Sequence, residues 1–139
     1  MRSIIEKNTL EKNLRWPDFF KAVGNELLLV ENNLLSTLGI KSKLLKEIIN
    51  YIFNAGGKRL RVALCLLVAK ATKSIKPKHI TLSELTELIH TASLIHDDII
   101  DSSKLRRGRE TINNLWNDKI SVITGDFLFA EASVKLGEL

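Results

Sequence analysis

Apolar residues recur every three or four positions along most of the chain, and this spacing is typical of α-helices that bury one face. Residues that begin or end helices stand between the apolar stretches, so five helices are predicted. Gly39 is expected to end the first helix and Ser42 to begin the second. Thr81 and Glu84 are expected to form a capping box at the start of the fourth. The predicted helices cover residues 18–38, 43–55, 59–72, 81–101 and 118–139.

The third and fifth predicted helices lead to further expectations. Residues 59–72 are apolar on nearly every side, which predicts a buried helix with Cys65 as a small core residue. The fifth helix is still periodic at Leu139, so we expect the chain to be part of a longer protein. Residues 102–111 are polar and basic and contain no Asn-Gly or Asp-Gly pair, so they are predicted to form a loop.

The composition narrows the class of protein. Hydrophobic residues make up 45% and charged residues 27% of the chain, as in soluble globular proteins, while 7 Gly and 2 Pro allow few turns. A single Cys excludes a disulfide scaffold, and the net charge of +5 fits lysine-rich solvated helix faces. The first residues lack the apolar core of a secretory signal, and no apolar run is long enough to cross a membrane. An all-α, soluble, intracellular protein is therefore predicted.

An acidic stripe marks the end of the fourth predicted helix. At about 100° per residue, His90 and Asp101 lie within about 40° of Asp97 around the helix axis. Two carboxylates one turn apart repel each other, and the helix dipole disfavours anions at a C-terminal end, so the stripe costs stability and indicates a function. Oxygen ligands favour a hard cation, and Mg²⁺ binds through one or two carboxylates together with substrate phosphates. The sequence therefore predicts a Mg²⁺ site at Asp97 and Asp101.

Two basic segments flank this helix in the sequence. Lys58 and Arg61 follow the glycine pair 56–57 at a predicted helix start, where free backbone N–H groups and the helix dipole favour anions. Arg106 and Arg107 follow the acidic stripe, and a guanidinium group suits bidentate contacts with phosphate. Carboxylates for Mg²⁺ and two cationic sites together indicate two substrates that each have a diphosphate group.

Residues 56–61, the Asp-Asp-x-x-Asp motif within 90–101, and residues 105–108 occur in the order found in the trans-polyprenyl diphosphate synthases. The chain resembles this family over nearly its whole length, and residues 91–98 are most similar to long-chain enzymes of bacteria and plastids. The resemblance implies an isoprenoid-synthase-type helical bundle with a central active-site cavity, and a homodimer. Residues 1–139 would form the N-terminal part of one synthase domain, because the family's second Asp-rich motif is missing. The many Lys, Ile and Asn residues are typical of an A+T-rich gene, such as a plastid gene. A plastid is therefore one expected location, and the cytoplasm is the alternative.

The resemblance also implies roles for the charged residues. It implies a prenyltransferase that uses Mg²⁺ to condense isopentenyl diphosphate with an allylic prenyl diphosphate. The expected product is a long trans-polyprenyl diphosphate, for example for a quinone side chain. Asp97 and Asp101 are then Mg²⁺ ligands that bridge to the allylic diphosphate, which Arg106 also contacts. The pocket for isopentenyl diphosphate is expected to consist of Lys58, Arg61, His90 and Arg107.

Two small residues precede the acidic stripe. Ser93 lies four residues before Asp97 on nearly the same helix face, and Ala92 lies five residues before it. Shorter-chain members of the family commonly have aromatic residues at such positions. Small side chains at Ala92 and Ser93 therefore predict a pocket that is open to a long product tail.

Three other functions fit parts of the sequence. A terpene cyclase shares an Asp-rich helix, but it has no second diphosphate that Lys58, Arg61 and the arginine pair 106–107 would hold. A non-catalytic partner subunit of a synthase stays open as an alternative, because the second Asp-rich motif is missing. A nucleic-acid-binding domain needs basic residues on one exposed face, whereas the main Arg cluster here follows three acids. Nucleic acid is therefore not expected as a partner.

Overall fold

The computed structural model describes residues 18–36 and 38–139, and this part of the chain consists mainly of α-helices. A 3-10 helix at Asp18–Val23 leads into the first α-helix, and a short hairpin separates the fourth from the fifth. The all-α class predicted from the sequence is confirmed. The elements are α1 (Gly24–Ser36), α2 (Lys43–Asn54), α3 (Leu60–Ala71), α4 (Pro77–Ile100), β1 (Leu105–Arg106), β2 (Arg109–Glu110), α5 (Ile112–Leu115) and α6 (Asp118–Gly137).

Helix α4 lies at the centre of the packing, because α1, α3 and α6 all contact it. Its buried apolar face includes Leu88 and Ile95. The same core contains Leu27 from α1, Leu66 from α3 and Leu128 from α6. Burying a side chain of this size contributes roughly 1.5–3 kcal/mol. Helix α4, whose last turn carries the acidic stripe, is therefore held in place by three neighbouring helices.

The limits of α2 agree closely with the prediction. The Ser42 hydroxyl oxygen accepts a hydrogen bond from the Leu45 N–H at 3.3 Å, so the predicted N-cap is confirmed. The helix ends at Asn54, and Gly56 has a φ of 69°, which is the left-handed conformation that a glycine adopts without a steric penalty. The glycine pair therefore ends α2, as predicted.

The limits of α1 and α4 differ from the prediction. Helix α1 ends three residues before Gly39, which does not have the positive φ of a helix-ending glycine. Helix α4 begins at Pro77, because the fixed φ of proline suits the first helical position. The Lys76 N–H, just before it, donates to Nδ1 of His79 at 2.9 Å. Thr81 lies inside the first turns of α4, so the predicted capping box is wrong.

Helix α3 is not buried on all sides. Val62, Ala63 and Leu66 lie in the core, but Leu64 is 63% exposed and Val68 is also exposed. The expectation of a fully buried helix is therefore wrong for the described residues, and Cys65 is half-buried. An apolar pattern shows which residues avoid water, but it does not show what covers them.

Within the described part of the chain, none of the helices combines the length and hydropathy that crossing a bilayer requires.

The segment 102–111, predicted to be a loop, contains the hairpin of β1 and β2. Two residues join the strands, and both have positive φ: 53° at Arg107 and 77° at Gly108. This is the backbone of a type I′ turn, which favours Asn-Gly or Asp-Gly, so an Arg-Gly pair gives a weaker sequence signal.

Helix α6 ends at Gly137, whereas the pattern predicted a helix that continues through Leu139.

Candidate active site

The C-terminal end of α4 presents three carboxylates in two different environments. Asp97 and Asp101 are exposed, and neither side chain has a hydrogen bond or an ion pair with another described residue. Asp98 is buried and forms an ion pair with Arg106. The structure therefore leaves two acids free toward solvent and uses the third to hold the hairpin.

Asp98 fixes Arg106 through a multiple contact. The Nε–H of Arg106 lies 2.9 Å from both carboxylate oxygens of Asp98, and Nη2 lies 2.8 Å from Oδ1. The hydrogen bond with Asp98 raises the pKa of Arg106, with smaller contributions from the charges of Asp97 and Asp101. The side chain is still 37% exposed, so its outer N–H groups stay accessible to an anion.

Tyr51 of α2 holds the other side of the hairpin. Its hydroxyl donates to the Glu110 carbonyl at 2.9 Å, and the Arg109 guanidinium lies 4.3 Å from the centre of its ring. Trp116 packs edge-on against the same ring, with 5.8 Å between the centroids. Tyr51 is not recognisable as a site residue from the sequence, because an aromatic residue on an amphipathic helix gives no signal that sets it apart from a core residue.

The other basic segment reaches α4 at His90. An N–H of Arg61 donates to Nε2 of His90 at 3.0 Å, so this nitrogen is unprotonated. Partial burial lowers the pKa of His90 first, and the nearby charges of Arg61, Arg107 and Arg106 lower it further, against an opposing contribution from Glu87. His90 is therefore a neutral acceptor among cations.

Arg107 brings the two basic segments together. A Cβ atom placed on Gly57 would lie 3.0 Å from Nη1 of Arg107, so the side chain of Arg107 approaches the glycine pair closely. Lys58 follows this pair and is exposed. Segments that are far apart in the sequence thus supply cations to one region beside α4.

A cleft of about 130 Å³ lies between α2, α4 and the hairpin. Of the residues predicted to bind diphosphate, the cleft is lined by His90, Arg106 and Arg107. Lys58, Arg61, Asp97 and Asp101 are not among its lining residues. Arg59 and Glu87 also line the cleft, and neither is expected there from the sequence.

The two residues predicted to set product length lie in different places. Ala92 is fully buried in the hydrophobic core. Ser93 is half-buried, and its hydroxyl donates to the His90 carbonyl at 2.8 Å. Neither residue lines the cleft. A large side chain at Ala92 would overpack the core, so Ser93 is the better position for a test.

The acidic stripe fits a hard divalent cation only in part. Among the described residues, no group of three or more His, Cys, Asp and Glu side chains is placed to hold a metal ion. Asp97 and Asp101 supply two unpaired carboxylates with oxygen donors, which suits Mg²⁺ when substrate phosphates complete its ligands. The stripe is thus suited to a cation that arrives with a phosphorylated ligand.

An all-α core with two exposed carboxylates at the end of its central helix, flanked by two basic segments, defines a domain suited to phosphorylated ligands. The polyprenyl synthetase family model matches residues 42–139, and the chain belongs to this family.

Similar proteins support this membership. A prenyl transferase of Porphyra purpurea is 49% identical over 123 residues, covering 86% of this chain and 38% of that protein. The protein named solanesyl diphosphate synthase 2, chloroplastic, of Arabidopsis thaliana is 44% identical over 126 residues, covering 86% of this chain and 30% of that protein. The chain thus spans well under half the length of these relatives.

Solved structures show the same fold. A decaprenyl diphosphate synthase from Rhodobacter capsulatus matches with a TM-score of 0.80 and 36% identity, covering 85% of this chain and 37% of that one. A polyprenyl synthase from Caulobacter crescentus, complexed with calcium and isoprenyl diphosphate, matches with a TM-score of 0.80 and 30% identity, covering 85% and 36%. The isoprenoid-synthase-type bundle expected from the sequence is confirmed.

Proposed function

We propose that this chain is the N-terminal part of a polyprenyl diphosphate synthase. The proposed enzyme condenses isopentenyl diphosphate with an allylic prenyl diphosphate and lengthens it by five carbons. The observation that supports this best is the meeting of two basic segments beside α4, close to two free carboxylates. The family match and the relatives named as prenyl transferases support the same reaction.

The proposed site for isopentenyl diphosphate consists of cations around a neutral histidine. His90 and Arg107 line the cleft, Arg61 donates to His90, and Lys58 lies at the start of the same segment. Arg and Lys side chains neutralise the diphosphate and fix its orientation, which brings the double bond of the isopentenyl group close to its reaction partner. These residues bind and orient the diphosphate of isopentenyl diphosphate, which stays on the product while the allylic diphosphate leaves.

The proposed site for the allylic substrate lies at the end of α4. Arg106, held by Asp98, would contact the allylic diphosphate, and Asp97 with Asp101 would hold Mg²⁺ against the same group. When bound, Mg²⁺ stabilises the negative charge that builds up on a leaving diphosphate. Preorganised N–H groups of Arg106 stabilise the same charge without reorganisation during the reaction.

The bond changes in the proposed reaction balance without a further reactant. The allylic C–O bond breaks, and its electron pair leaves with the diphosphate. The double bond of isopentenyl diphosphate then forms the new C–C bond with the allylic carbon, and one proton is lost to restore a double bond. The products are the longer prenyl diphosphate, free diphosphate and a proton. Exclusion of water protects the allylic cation from hydrolysis.

The test of this function uses the full-length protein with Mg²⁺, radiolabelled isopentenyl diphosphate and allylic primers of several lengths. Extraction of labelled prenyl diphosphates longer than the primer supports the proposal. A non-catalytic partner subunit of a prenyl diphosphate synthase is the second candidate. It would give no product alone, but it would raise the activity of a complete synthase when the two are mixed.

A long product, a plastid location and a homodimer belong to the same proposal. Relatives named solanesyl diphosphate synthase 2, chloroplastic, from Arabidopsis thaliana and Oryza sativa support a long chain and a plastid. The proposal also includes a quinone side chain as the use of the long product. Size-exclusion chromatography with light scattering of the full-length protein tests the homodimer.

Replacing Ser93 with Phe should shorten the product. The side chain of Ser93 lies one turn before Asp97 on α4, and a phenyl ring there would block a growing tail. In the full-length protein we expect the main product to lose at least two five-carbon units, measured by chromatography of the dephosphorylated products. Ser133→Phe on the exposed face of α6 is the control, and an unchanged product length in Ser93→Phe would refute the role.

Binding of a diphosphate should be coupled to proton uptake at His90. Burial and the surrounding cations lower the pKa of His90 from its ordinary value of 6.5, and a bound anion offsets those cations and raises the pKa again. Calorimetric titration with inorganic pyrophosphate at pH 6.5, in two buffers with different ionisation enthalpies, measures this uptake. Wild-type protein should take up more protons than His90→Asn, and equal uptake in the two would contradict the prediction.

The same pKa shift has a consequence for folding. Because the folded chain binds a proton at His90 less tightly than the unfolded chain does, protonation favours unfolding. The stability contributed by neutral His90 is therefore lost as the pH falls through its ordinary value. The His90→Asn variant should lose less stability over this pH range.

A further inference from the structure

Arg59 differs from the other cations of its segment because its side chain lies inside the protein. It is only 9% exposed, whereas Lys58 and Arg61 are exposed. Its guanidinium donates to Glu31 of α1 at 3.0 Å and to Glu87 of α4 at 2.5 Å. A third N–H donates to the backbone carbonyl of residue 53 in α2 at 3.2 Å. One side chain thus connects three helices to the segment before α3.

The backbone of Arg59 is in the left-handed conformation, with a φ of 44° and a ψ of 34°. For a residue other than glycine, this conformation is sterically unfavourable, so the surrounding contacts must maintain it. Arg59 is the N-cap residue of α3, and Arg61 lies in the first turn of that helix. The conformation of Arg59 therefore determines where Lys58 and Arg61 lie relative to His90.

Arg59 also neutralises acids close to the cationic site. Glu87 and Arg59 both line the cleft with His90, and the charge of Glu87 acts on His90. Glu87 is buried, so its carboxylate has little water to screen its charge. Without Arg59, the carboxylate of Glu87 would face the proposed anion site without a cation, and Glu31 would lose its ion pair.

We propose that Arg59 is a positioning residue for the isopentenyl diphosphate site. It holds the segment 56–61 in the conformation that places Lys58 and Arg61, and it neutralises the carboxylates of Glu31 and Glu87. This inference rests on the proposed function. It predicts that loss of the Arg59 side chain weakens the binding of isopentenyl diphosphate more than the binding of the allylic substrate.

The experiment measures steady-state kinetics of the full-length protein with Arg59→Met. We expect the KM for isopentenyl diphosphate to rise at least about tenfold, because an unpaired carboxylate repels the anion. The KM for the allylic substrate should stay within about twofold, since Arg59 bonds to Glu31, Glu87 and the carbonyl of residue 53, whereas Arg106 is held by Asp98. The double variant with Arg59→Met and Glu87→Gln lacks the unpaired carboxylate. Its KM for isopentenyl diphosphate should return at least halfway to the wild-type value on a logarithmic scale.

Lys135→Met is the matched control. Lys135 pairs with Glu84, which is also buried, at 2.8 Å, and neither residue lines the cleft. This variant also leaves a buried glutamate without its cation, so it should lower the melting temperature while both KM values stay unchanged. If Arg59→Met does not fold, Arg59→Lys keeps the charge without the planar fork, and its KM for isopentenyl diphosphate should rise about threefold.

The outcomes separate this inference from the proposed function. A wild-type protein without prenyl transfer would refute the proposed function before any variant is compared. An active wild type with an unchanged KM for isopentenyl diphosphate in the Arg59 variants would refute only the positioning role. Equal increases in both KM values, no rescue by Glu87→Gln, or the same kinetic change in Lys135→Met would also refute it.

Discussion

Replacing Asp97 with Asn is expected to lower kcat of the full-length protein at least about 100-fold. Residues that only orient metal ligands already contribute 10–100-fold, and Asp97 is one of the two carboxylates proposed to hold Mg²⁺ itself. The amide of Asn keeps the shape of the side chain but loses the charge that a hard cation requires. Initial rates at saturating substrate concentrations, over a range of Mg²⁺ concentrations, measure the effect.

The same substitution should increase the stability of the fold. Asp97 is exposed, lies one turn from Asp101 near the C-terminal end of α4, and has no side-chain partner among the described residues. Removing its charge relieves repulsion from Asp101 and from the helix dipole, which is worth a few tenths of a kcal/mol. Urea unfolding at low ionic strength should therefore give a slightly higher free energy of unfolding.

The control for Asp97→Asn is Asp118→Asn, an exposed acid at the start of α6. It undergoes the same chemical change but lies where the helix dipole favours an anion, so its activity should be unchanged and its stability slightly lower. Activity of Asp97→Asn within about threefold of the wild type would refute its role as a metal ligand. Lower activity together with higher stability in Asp97→Asn is expected only if the acidic stripe is retained for function at a cost in stability.

The parts of the fold that the sequence predicts correctly depend on local interactions. The Ser42 cap and the end of α2 at the glycine pair each involve residues within one turn, so their signal lies in adjacent positions. The exposure of Asp97 and Asp101 agrees with their helical spacing, which places both carboxylates on one face at the end of α4. Helix class and the acidic stripe are for this reason readable from one sequence.

The parts that the sequence does not predict depend on contacts between distant segments. Arg59 has three partners on three helices, and no spacing rule relates these positions. Tyr51 anchors a hairpin that lies more than fifty residues further along the chain. The exposure of Leu64 depends on which elements cover α3, and an apolar residue has the same pattern whether or not it is covered.

The close approach of α4 and α6 depends on a glycine. Gly125 is buried in α6, and a Cβ atom there would lie 2.5 Å from Cδ2 and 2.9 Å from Cε1 of His96. His96 donates from Nε2 to the Val122 carbonyl at 3.3 Å, lies 3.6 Å from Asp126 and packs against the ring of Phe129. Three contacts with α6 therefore hold the imidazole over the glycine, which gives His96 a structural role.

Replacing Gly125 with Ala should destabilise the chain by about 1–3 kcal/mol, although Ala is the better helix former. The added methyl group would force either the His96 ring out of its place or α6 away from the central helix. Urea unfolding followed by circular dichroism measures the loss. Because α4 carries the acidic stripe, displacement of α6 should also reduce activity in the full-length protein.

The cause of the destabilisation can be isolated by a double-mutant cycle. In a His96→Ala background the methyl group has room, so Gly125→Ala should cost at least about 1 kcal/mol less than in the wild type. Gly137→Ala at the end of the same helix has no atom within 4 Å of the added methyl group, and it should be neutral or slightly stabilising. Equal costs of Gly125→Ala in the two backgrounds would show that the approach of His96 does not require the glycine. If Gly125→Ala destabilises only the chain that retains His96, the lack of a side chain at position 125 sets the distance between α6 and α4, the helix that carries the acidic stripe.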